Sequence, residues 1–201
     1  MSDTDLSRGV AVRLSALCLD DRGRLRDYTL WDMAVRGALL VDLALAGRVS
    51  AEEDSVVVDA TATGFRPADA LLAPIAVEPE RPLDWWLDNG AVDLADVVAD
   101  NVAAGRWTVR RRLLGRRYAV RDGGTAAADA AQDPRGPCDG WDPATAAVVA
   151  IADSAGISDA EPGDASDTVL VATGPVRWLC QSVVQRLAVA HLHFRGTVGI
   201  T

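Results

Sequence analysis

Residues 36–50 read RGALLVDLALAGRVS, and from Ala38 to Leu45 every side chain but one is apolar. Leu39, Leu40, Val41, Leu43, Ala44 and Leu45 point in nearly every direction around a helical axis, the pattern of a helix enclosed by other helices rather than one lying on a surface. Upstream, Thr29 stands three residues ahead of Asp32, a capping box with the shorter acid, and downstream Gly47 supplies a stop. The spacing therefore predicts a central helix running from the TLWD segment to Gly47. Asp42 is its one anomaly. A carboxylate in such a core is expected to pair with an arginine, with Arg36 and Arg48 the nearest candidates in sequence; the alternative is a general base whose pKa is raised by burial.

Working outward, the segment VAVRLSALCLDDRGRL carries apolar residues compatible with helix or strand and then a DDRG turn. SVVVDAT reads as a short strand, and ADALLAPIAVE as a short helix ending near Pro79. Leu83 to Leu87 and Asp93 to Ala104 predict two helices separated by an Asn-Gly break, with Gly105 closing the second. RWTVRRRLLGRRYAVRD alternates polar and apolar residues about a Leu-Gly and predicts a basic two-stranded ribbon. Gly123 to Gly140 reads as loop or weak helix, and Asp142-Pro143 as the cap and first residue of another helix. ISDAEPGDASDT predicts an acidic loop, and a last helix starts at Pro175. The expected fold is mainly α: a helical core surrounded by amphipathic helices with one or two β-hairpins, as a single domain over residues 1–201.

A chain of 201 residues, 49% hydrophobic, is long enough for a substantial core. No run reaches the roughly 18–20 apolar residues of a membrane span, and the N-terminus lacks the order of a signal peptide, so a cytoplasmic location is expected. The net charge of −9 argues against nucleic acid as a partner. That charge is unevenly spread, because seven arginines fall between Arg106 and Arg121 whereas residues 122–176 hold ten acids against Arg135 alone. Cys18, Cys138 and Cys180 form no metal-type or disulfide pattern and read as free thiols.

Catalytic signatures are missing from the sequence: there is no G-x-G-x-x-G, Walker-type loop, G-x-S-x-G or H-E-x-x-H. His191 and His193, two apart on a predicted helix, face different ways and do not make a metal site. No cofactor, metal or catalytic residue is expected, and the chain is not expected to be an enzyme.

Three stretches together are similar to one family. RGALLVDLALAGRV resembles the central-helix motif of the Golgi phosphoprotein 3 family, with Gly37, Asp42, Leu43, Ala44, Leu45, Gly47, Arg48 and Val49 in place. LCLDDRGRL resembles the family's opening apolar stretch and turn, and VRRRLLGRRYAVRD the Leu-Gly and basic run of its bacterial, actinobacterial-type members. DPATAAVVAIADSAG resembles a later helix. The resemblance implies a peripheral membrane protein that binds phosphatidylinositol 4-phosphate in a shallow basic pocket bearing a tryptophan, and that also holds partner proteins. It implies Arg36 as a headgroup contact and Trp31 as the pocket tryptophan, in a pocket kept only in part. The basic run adds Arg116 and Arg117, and Trp141 adds an aromatic suited to a membrane interface.

The expected function is thus anionic-lipid binding through Trp31, Arg36, Arg116, Arg117 and Trp141, on the inner face of the cell membrane. Two alternatives remain beside it. One is a non-enzymatic protein-interaction adaptor that has lost the lipid site; the other is an unrecognised enzyme using Asp42, or the aspartates Asp139 and Asp142.

Overall fold

The structure is a computed structural model that describes residues 5–26, 28–52, 55–112, 115–121, 123–157 and 166–198. Among these, nine α-helices and two antiparallel hairpins follow in the order α1 (Val10–Leu17), α2 (Thr29–Leu45), β1 (Val49–Glu52), β2 (Ser55–Val58), α3 (Arg66–Val77), α4 (Leu83–Asn89) and α5 (Leu94–Ala103). The chain continues through β3 (Trp107–Arg112), β4 (Gly115–Val120), α6 (Gly124–Ala130), α7 (Pro143–Ser154), α8 (Asp167–Ala172) and α9 (Arg177–Val198). The mainly helical class and both hairpins agree with the sequence reading.

Helix α2 is the axis of the molecule. It packs against α1, α3, α4, α5, α7 and α9, and its residues from Ala34 to Leu43 are all buried. Six neighbours explain why its apolar residues are not confined to one stripe. Gly37 permits the approach of α9, because a Cβ there would lie 2.5 Å from Cγ1 of Val183 on that helix. The helix ends at Ala46, and Gly47 takes a positive φ of 70° that turns the chain into β1.

Asp42 does not pair with Arg36 or Arg48. Its carboxylate, 1% exposed, accepts hydrogen bonds from the backbone N–H groups of Val10 at 2.7 Å and Ala11 at 2.9 Å. These are the first amides of α1, which no preceding side chain caps, since its N-cap residue is Gly9. The acid in the oily helix is therefore the N-terminal cap of the neighbouring helix, where unsatisfied amides and the helix dipole both favour an acceptor. A Cβ on residue 9 would meet Oδ1 of Asp42 at 2.3 Å, so glycine is what lets the carboxylate in. Arg48 instead pairs with Asp59 beyond the first hairpin.

Burial pushes the Asp42 carboxyl up to about 7, against the pull of the two amides and of Arg13. The folded chain thus holds this proton more tightly than the unfolded chain, whose value is near 3.8. The stability it contributes is complete below that unfolded value and is lost as pH rises through about 7. Urea unfolding of wild type and Asp42→Asn at a series of pH values should show the wild type losing stability relative to the variant as pH rises across this window.

Three local expectations change. Thr29 is the first residue of α2 rather than its cap, and Tyr28 at the cap makes no side-chain capping bond. Asp32 accepts instead from the backbone N–H of Leu94 at 3.1 Å, tying α2 to the start of α5, whose own capping box is formed by Asp93 and Asp96. The acidic segment before the last helix contains α8, capped by Ser166, and a short 3-10 turn over Gly174–Val176 separates it from α9. Residues 158–165 of that expected loop, and the side chain of His193, lie outside the described residues. Cys18 and Cys180 are buried free thiols, the latter pushed by burial up to about 12, and Cys138 is free and half-buried.

Candidate functional site

The basic run folds as predicted, into the hairpin β3–β4, whose register pairs Trp107 with Val120, Val109 with Tyr118, Arg110 with Arg117 and Arg111 with Arg116. Directly opposed residues share a face in an antiparallel pair. One face therefore carries Trp107, Val120, Val109 and Tyr118 and, nearer the tip, Arg111 and Arg116. The other carries Thr108 and Ala119, then Arg110 and Arg117. At its base the hairpin is seated on the body: Trp107 is 2% exposed, β3 packs on α5, and the amide of Tyr118 donates to the carbonyl of Gly23 at 2.7 Å. Gly23 is required there, because a Cβ would fall 2.4 Å from the Tyr118 carbonyl oxygen.

Arg110, Arg111, Arg116 and Arg117 are all exposed, and none makes a side-chain hydrogen bond or ion pair among the described residues. Two like-charge pairs directly across a two-stranded ribbon oppose its folding. Nothing in the described fold compensates them, although the chain as a whole has an excess of acid. Arg110 and Arg111 had not been singled out from the sequence as site residues. Their pairing with Arg117 and Arg116 follows once the register is known, and alternation around the Leu-Gly was the signal that could have given it.

The residues carried over by resemblance are placed elsewhere. Arg36 is not a surface contact: it is 8% exposed, its Nε donates to the carbonyl of Leu87 at 2.6 Å and its Nη1 to that of Val92 at 3.1 Å. It closes the C-terminal end of α4 and the connection to α5, with Gly90 leaving room for its Cδ. Burial pulls its pKa below the ordinary arginine value, against the favourable fields of Asp32, Asp88 and Asp93. Arg36→Ala should strand two buried carbonyls and lower stability by about 3 kcal/mol in denaturant unfolding. Arg36→Lys should not restore it, because one ammonium cannot reproduce the two-pronged geometry.

Trp31 is likewise buried, 5% exposed, with Nε1 donating to the carbonyl of Ala155 at 3.2 Å at the end of α7. Five residues apart on one helix, Trp31 and Arg36 are about 140° apart and serve different neighbours. Trp141 is half-buried just before Asp142, whose side chain caps α7 through Ala144 and Thr145. The five expected site residues are therefore not one pocket. On the hairpin itself, Trp107 is core and Tyr118 is half-buried. Only Arg116 and Arg117 remain at the surface with their charge uncompensated.

Of the candidate catalytic acids, Asp139 is exposed at the surface, and the other two are engaged. Both oxygens of Asp42 are engaged by amides, and Asp142 is used in capping. No helix among the described residues is long and apolar enough to cross a membrane.

A comparison with curated proteins gives no match. The family model of Golgi phosphoprotein 3 (GPP34) matches residues 12–169, a span that takes in α2, both hairpins and α7. Because that match covers well over half of the chain, the protein belongs to the Golgi phosphoprotein 3 family.

Proposed function

We propose that this protein is a non-catalytic peripheral membrane protein that associates with anionic lipid, on the inner face of the cell membrane, through the tip of the β3–β4 hairpin. The observation that carries this reading is the set of four exposed arginines in two opposed pairs, Arg110 with Arg117 and Arg111 with Arg116. An acidic bilayer surface relieves that repulsion and attracts each arginine that reaches it by about 1 kcal/mol. Membership of the family supports the same class of function. The lipid assigned is any anionic headgroup rather than phosphatidylinositol 4-phosphate alone, because Arg36 and Trp31 are committed to the core.

Flotation of the purified chain with neutral vesicles, generic acidic vesicles and vesicles doped with phosphatidylinositol 4-phosphate tests this. Binding should follow total negative surface charge and weaken with salt. Marked preference for the phosphoinositide at equal surface charge would contradict the assignment of a general anionic surface.

A second reading, a protein-interaction adaptor, draws support from a cavity of about 840 Å³ between α1, α6 and α7, with Asp20 and Asp21 among its lining residues. It accommodates a basic segment of a partner better than a phosphate. Absence of vesicle binding under all three conditions would favour this reading over the first.

A further inference from the structure

A separate pocket of about 330 Å³ lies at the foot of the hairpin, between the first turns of α1, the end of α5 and the start of α6. Its buried floor includes Val12 and Trp107, with Val120 and Ala126 beside them. Arg8, Arg13, Arg106 and Arg121 also line it, and no acidic side chain does so among the described residues. None of Arg110, Arg111, Arg116 and Arg117 takes part.

Two of these arginines are fixed in place. Arg13 holds Asp129 through Nε and Nη2, and Nη2 also reaches Oγ1 of Thr145 at 2.8 Å. Asp129 raises its pKa despite the opposing effect of burial. Arg106 donates from Nε to Oδ1 of Asn101 at 2.8 Å and from Nη2 to Asp100 at 3.1 Å. Neither residue's Nη1 has a hydrogen bond among the described residues. Neither Arg121 nor Arg8 makes a side-chain hydrogen bond or ion pair among the described residues. A rigid cationic wall beside two unengaged arginines, over an apolar floor with a tryptophan, is a pre-organised site for an anion that has an apolar body.

We propose that this pocket binds a small soluble aromatic anion, its ring against Trp107 and Val12 and its phosphate or carboxylate on Arg121 and Arg8. The volume is at the small end of ligand cavities, which suits a one- or two-ring body rather than a two-chain lipid.

The test uses the full chain and naphthyl phosphate, titrated by calorimetry, beside naphthalenemethanol and inorganic phosphate as the neutral and the ring-free comparison. Saturable binding of naphthyl phosphate is expected, with both comparison compounds at least about tenfold weaker. Arg121→Ala, which breaks no bond of the described fold, should weaken it about tenfold. Ala126→Leu, which fills the pocket without changing charge, should abolish it while leaving vesicle flotation unchanged. Absence of saturable binding would overturn the proposal, and so would equal binding of either comparison compound. Unchanged affinity in either variant would also overturn it.

Discussion

Asp42→Ala is expected to lower the stability of the folded chain by about 4 kcal/mol, a large share of the roughly 5–15 kcal/mol that holds a domain together. The reason is local. Among the described residues the carboxylate is the only side-chain acceptor for the amides of Val10 and Ala11, and both amides are buried. Truncation leaves two donors without a partner, at about 1–3 kcal/mol each, and opens a small void between α1 and α2. Asp42→Asn should lose roughly half as much at neutral pH, since an amide oxygen still serves one donor. Gly9→Ala should reproduce much of the alanine effect from the other side, by driving a methyl group into the carboxylate. Urea midpoints for the three variants check the order Asp42→Ala, then Gly9→Ala, then Asp42→Asn. An Asp42→Ala protein as stable as wild type would mean that the cap is not what joins these helices.

The fold was legible where a pattern is local. Helix α2 could be placed from its unbroken apolar girth and from Gly47, α7 from Asp142-Pro143, and β3–β4 from alternation about the Leu-Gly. What the sequence did not disclose were partnerships across the fold. Asp42 and Val10 are 32 residues apart, and nothing in either segment alone says that an acid on one helix caps another. The same holds for Asp32, which looked like a member of its own helix's capping box and instead receives the amide of Leu94. Helix α8 was hidden because its surroundings are acidic and rich in Gly and Pro, a composition that outweighs six helical residues capped by Ser166.

The site was legible in charge and illegible in burial. Arginine beside a motif residue reads as a headgroup contact, yet Arg36 is taken up by the carbonyls of Leu87 and Val92, more than fifty residues away. Composition does not distinguish an arginine that serves a ligand from one that closes a helix end. The basic run, by contrast, was visible as a run; its division into two faces needed only the register.

Removing the two opposed arginine pairs in one variant, Arg110→Ala/Arg111→Ala/Arg116→Ala/Arg117→Ala, should weaken partition onto acidic vesicles by about a thousandfold at low salt. Four residues at about 1 kcal/mol each give about 4 kcal/mol, and each 1.4 kcal/mol is a factor of about ten. The fold should not suffer, because none of the four side chains makes a bond within the described structure. Relief of the two opposed pairs should raise thermal stability slightly. The most direct single measurement is flotation of wild type and this fourfold variant with the same acidic vesicles at low salt. The wild type should float, and the variant should stay in the soluble fraction while remaining folded. Equal flotation of the two proteins, or failure of the wild type to float, would contradict the claim that the hairpin tip is the membrane contact.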